Sequence, residues 1–104
     1  MAYIAKVTVT NSWTKLETLI KAIDGLSTFA FDTSKKYSIQ VDGSETGEYY
    51  GVYFCNSTTT PTEPDDGEHM DGTMFSIYEP ESGADLYVKK VKSLGVLKVS
   101  VSEL

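Results

Sequence analysis

The stretch Glu63-Pro64-Asp65-Asp66-Gly67-Glu68-His69-Met70-Asp71 holds the side chains best suited to chemistry by type. Hard cations such as calcium take several carboxylate oxygens from one loop, and Asp65, Asp66, Glu68 and Asp71 are the candidate ligands. Their spacing departs from the EF-hand pattern, which places oxygen ligands at alternate positions and ends on a distant glutamate. The stretch therefore reads as a charged, solvated turn, and no metal or other cofactor is assigned. His69 is the single histidine, Cys55 is the single cysteine, and arginine is absent. Zinc needs more nitrogen and sulfur ligands than His69 and a distant Cys55 supply. Catalysis by His69 needs a nucleophile in hydrogen-bond reach, and the chain has no Gly-x-Ser-x-Gly elbow to present one. These absences point to a protein that is not an enzyme, with no catalytic residue to name.

What remains is surface. Tyrosine offers large contact area at low entropy cost, and the chain has seven. Tyr49 and Tyr53 are the candidate surface contacts, whereas Tyr37, Tyr50 and Tyr87 read as core. Lys89, Lys90 and Lys92 form the one basic cluster. They read as a solvated strand end that discourages unwanted strand addition, and Lys89 and Lys90 are candidates for an interface. The balance is acidic, nine lysines against fifteen carboxylates for a net charge of −6, which repels phosphate backbones. Without arginine the best bidentate readers of phosphate and guanine are missing too, so direct nucleic-acid binding is not expected. No apolar run approaches the roughly 20 residues of a membrane helix, and Met1 to Val9 alternates like a strand rather than a secretory leader. A lone cysteine forms no intramolecular disulfide; within Val52-Tyr53-Phe54-Cys55 it reads as a small buried hydrophobe, in a chain made in a reducing cytoplasm.

The elements that position these residues are mostly strands. Residues 2–10 alternate Tyr3, Ala5, Val7 and Val9 against Ile4, Lys6, Thr8 and Thr10. Trp13, Leu16, Ile20 and Ile23 then recur at helical spacing, predicting an amphipathic helix over about residues 14–24. Thr14 and Glu17 fit a capping box, and Gly25 with Leu26 fits a Schellman ending. Asp32 to Lys36 reads as a turn, Tyr37 to Val41 as a strand, residues 42–48 as a hairpin connection, and Tyr49 to Cys55 as a central strand. Asn56 to Gly67, with Pro61 and Pro64, reads as a surface loop. Strands resume over residues 73–79, at Leu86-Tyr87-Val88 and over Val96 to Ser102, where Leu97, Val99 and Val101 face inward. Six to seven short strands and one helix predict a single domain over residues 1–104, an antiparallel β-sandwich or small barrel.

The order of these segments resembles small virion proteins of tailed bacteriophages. The resemblance is carried by Trp13-Thr14-Lys15-Leu16, Tyr37-Ser38-Ile39-Gln40-Val41 and Cys55-Asn56-Ser57 before a proline-bearing loop. Asp85-Leu86-Tyr87-Val88-Lys89 ahead of Gly95-Val96-Leu97-Lys98-Val99-Ser100-Val101 completes it. It implies a head-decoration, head-fibre or tail-associated module that sits in the virion after synthesis in the host cytoplasm. Its partners would be capsid, portal or tail subunits, and copies of itself as a trimer or dimer. The N-terminal strand and helix, or the loops around residues 42–48 and 56–72, would present the contacts. The matching segments are core-strand signatures, so the resemblance assigns no contact residue. Two rival readings stand beside it: a carbohydrate- or peptide-binding module using Tyr49, Tyr53 and the acidic loop, and a small acidic intracellular inhibitor.

Overall fold

Strict alternation builds the first sheet. In Tyr37–Asp42 the residues Tyr37, Ile39 and Val41 are buried while Gln40 is exposed, and in Lys98–Glu103 Val99 and Val101 are fully buried while Lys98 is exposed. Such period-2 strands bury one face each and must pair to satisfy their backbones. The computed structural model describes residues 2–42, 51–62, 67–70, 75–91 and 97–104. Among these, eight strands and one helix follow in order: β1 (Ala2–Thr8), β2 (Thr14–Lys15), α1 (Leu16–Lys21), β3 (Tyr37–Asp42), β4 (Val52–Ser57), β5 (Glu68–Met70), β6 (Phe75–Tyr78), β7 (Asp85–Lys90) and β8 (Lys98–Glu103). They form two four-stranded antiparallel sheets, ordered β1-β8-β3-β6 and β2-β7-β4-β5. The sheets stack as a sandwich and do not close into a barrel.

The core lies between the sheets. Ala5, Val7, Ile39, Val41, Val99 and Val101 come from the first, and Val52, Phe54, Met70, Leu86 and Val88 from the second. Helix α1 packs on β1, β2 and β7, so it covers the side of the sandwich where the β1 and β2 edges meet. Leu16 and Ile20 enter the core from it with no exposed surface. An aromatic group adjoins them. The Phe31 ring meets Phe29, Tyr37 and Tyr78 edge-on, with centroids 5.0, 4.8 and 5.1 Å away.

Local chemistry departs from expectation at the helix. Thr14 and Lys15 pair with Val88 and Tyr87 as β2, so the helix begins at Leu16 and is shorter than the 14–24 span. Lys15 is its N-cap, with no side-chain cap bond, and the capping box does not form. The Glu17 Oε1 accepts the Phe31 N–H at 3.0 Å instead, tying the aromatic segment to the helix. The helix ends at Lys21, and Gly25, with φ +87°, closes the turn after it, where the Leu26 N–H donates to the Ile23 carbonyl at 3.0 Å. The Asp32 turn forms as read. Its Oδ1 accepts from the Ser34 N–H and Oγ at 2.8 and 2.7 Å, and these bonds hold its carboxyl below the usual range.

Strand β1 also corrects the reading. A bulge between Tyr3 and Ala5 shifts its register on β8, so Ala5 and Val7 stay inward while Tyr3 turns out and is 67% exposed. Cys55 is half-buried rather than core. Glu68 to Met70, read as part of the acidic turn, is a strand. The connection at 42–48, Tyr49 and Tyr50 fall largely or wholly outside the described residues.

Two titrating groups give the sandwich a readable pH response. Asp42 accepts from Ser100 Oγ and pairs with Lys6 Nζ at 3.1 Å, and the Ser100 bond, then Lys6, keeps its carboxyl below the ordinary 3.8. Tyr78 is raised from 10.0 to about 12, first by burial, then by Asp85, Glu17 and Glu81. Its phenol holds the proton more tightly folded than unfolded, so that contribution is complete below pH 10 and is lost between 10.0 and about 12. Chemical-denaturation midpoints should fall steeply across that window, and Tyr78→Phe should flatten the fall. An unchanged slope in the variant would refute the assignment.

Candidate functional site

Strand register decides which candidate residues share a surface. In the second sheet Tyr53 lies opposite Lys89 on β7 and opposite His69 on β5. Directly opposed residues point to the same face. Val52 and Phe54 belong to the core, so the alternate residue Tyr53 lies on the outer face with its two partners. Lys89, Tyr53 and His69 thus form one row across three strands, all half-buried. The Tyr53 and His69 rings stack obliquely, with centroids 5.6 Å apart and planes at 57°. The next row holds Cys55, Tyr87 and Lys15. Tyr87 is buried as expected, yet it lies outside the inter-sheet core, and its hydroxyl accepts from Thr60 Oγ1 at 3.5 Å. Lys15 and Asp85 close this face with an ion pair at 3.3 Å.

Period 2 separates the two lysines that sequence proximity had grouped. Lys89 stands on the outer row, whereas Lys90 lies opposite Val52 on the other face, and its N–H donates to the Thr10 carbonyl at 2.8 Å. Strand β7 runs between β2 and β4, so these are not edge lysines. Lys92 lies outside the described residues.

Of the four metal candidates only Glu68 lies among the described residues. Glu68 opposes Phe54 at the start of β5 and is exposed; Asp65, Asp66 and Asp71 lie outside the described residues. Among the described residues no three His, Cys, Asp or Glu side chains are grouped to hold an ion. Cys55 and His69 are less distant than the chain suggests. They share the outer face on adjacent strands, Cys55 lying two positions along β4 from Tyr53, the residue opposite His69. Register alone reveals this, and the sequence carries no signal for it beyond alternation.

Two further features were not legible in the sequence. On the outer face of the first sheet, Tyr3, Ser102, Ser38 and Ile77 form one row across all four strands. Tyr3 and Ile77, at the two edges, are 67% and 55% exposed. On the side of the sandwich opposite α1, a cleft of about 180 Å³ opens between β6 and β5. Ile39, Phe54, Met70 and Leu86 make its apolar walls, and Asn56 and Glu68 add polar atoms to its lining.

Compared with known proteins, the chain matches no protein-family model, no curated protein and no solved structure.

Proposed function

We propose that this chain is a non-enzymatic structural component of a bacteriophage particle, in the head decoration, a head fibre or the tail. It works there through contacts with neighbouring virion subunits. The observation that carries a contact role is the outer row Lys89, Tyr53 and His69. It sets a tyrosine, a residue type enriched at protein interfaces, between a cation and an imidazole on a half-buried sheet face. The placement in a phage particle rests on the order of segments that resembles small virion proteins. Each contact is small, and repetition over a particle lets weak contacts sum by avidity.

Mass spectrometry of purified particles should find the chain in fixed stoichiometry with a capsid or tail subunit, and Tyr53→Ala should reduce its incorporation. Absence from the particles removes the virion reading. Specific capture of the isolated monomer on a glycan or peptide array, lost in Tyr53→Ala, would replace it with a ligand-binding module.

A further inference from the structure

Four strands lie at sheet edges among the described residues, and three of them carry a device that blocks strand addition. Strand β1 has its bulge and Lys6, β2 is two residues long and ends on Lys15, and β5 is three residues long and begins with Glu68. Strand β6, Phe75-Ser76-Ile77-Tyr78, has no charge, no proline and an unbroken register on β3. An uncharged, regular edge with an exposed isoleucine is a template for another strand. The apolar cleft opens beside this same edge, with Ser76 and Tyr78 in its lining.

We infer that β6 is a self-association site, where two copies pair β6 with β6 about a two-fold axis and join their first sheets. This deepens the contact-protein reading above and rests on it. Two-fold pairing of a strand with itself is antiparallel, the geometry both sheets already use, and an axis placed at Ile77, the exposed residue of β6, sets it opposite its own symmetry mate. Self-pairing also sets like against like, so a charged strand repels its copy and a neutral one does not. Glu79, just beyond β6, is held by Lys36 at 3.2 Å. The two-fold keeps both inner faces on one side, so the two clefts meet across the axis and shield each other's apolar walls from water. So short a ladder buries much less than the roughly 1,200 Å² of a stable interface, so the dimer is reversible.

Sedimentation equilibrium of the purified full chain, from ~10 μM to ~1 mM, tests this without any particle present. The wild type should fit a monomer–dimer equilibrium. Ile77→Lys should weaken it at least ~10-fold with an unchanged melting curve, since Ile77 is already exposed. Tyr3→Lys, on the opposite edge, should dimerise like the wild type. If Ile77→Lys melts early, Ile77→Thr reads the same contact. A wild type monomeric throughout, a trimer, or dimerisation lost in Tyr3→Lys but kept in Ile77→Lys overturns the inference. Such a result leaves the virion reading to the particle experiment, which decides it separately.

Discussion

Gly67→Ala should cost this protein about 2–4 kcal/mol and detach β5 from the second sheet. The reason is positional. Gly67 has φ +89°, a conformation that a Cβ disfavours, and a Cβ built there would collide with the Phe54 carbonyl oxygen and approach Cys55 Cβ at 3.0 Å. The backbone of β4 cannot yield to it, because Phe54 is engaged by β7 on its other side. Gly25 supplies the control. Its φ is +87° but nothing lies within 4 Å of its virtual Cβ, so Gly25→Ala should cost only the left-handed penalty of about 1 kcal/mol. Urea unfolding separates the two, and equal losses would show that the close approach to β4 does not matter. Local signals sharpen the test. In Gly67→Ala, if β5 detaches, the ring-current shifts that Tyr53 and His69 impose on each other should vanish before the fold melts.

That glycine marks where sequence reasoning stops. Tyr37, Ile39, Val41, Val99 and Val101 declared their strands because alternation over five residues has one structural solution, a half-buried sheet face. Glu68-His69-Met70 is too short to alternate and looks like the acidic turn around it; its pairing comes from Gly67 laying it against β4. Thr14 and Glu17 matched a capping box by type, but tertiary contact claimed both, Thr14 for β2 and Glu17 for the Phe31 N–H. Tyr3 matched the inward set by parity, and one bulge reversed it. The candidate surface shows the same division. Tyr53 was legible as an outward tyrosine, since its neighbours Val52 and Phe54 are the apolar pair. Its alignment with His69 and Lys89 was not, because register between distant strands has no signature in a single chain.

The second large effect lies at the opposite side of the sandwich from the cleft. Leu16→Ala should destabilise the fold by about 3 kcal/mol, within the range of about 2–5 for a fully buried leucine. Helix α1 spans only Leu16–Lys21, far below the length at which a helix persists alone, so its stability is borrowed from the residues it buries. Leu16 and Ile20 are fully buried, whereas Leu19 is only partly so, and Leu19→Ala should cost less than half as much. Because Leu16 follows β2 directly, the cavity left by alanine also loosens the short pairing of Thr14 and Lys15 with Val88 and Tyr87. Amide exchange at β2 should therefore accelerate in Leu16→Ala while β8, central in the other sheet, changes only with global stability. Equal destabilisation by Leu16→Ala and Leu19→Ala would mean that α1 rests on the sandwich as a surface turn. A larger loss at Leu16 means that it seals one side of the core.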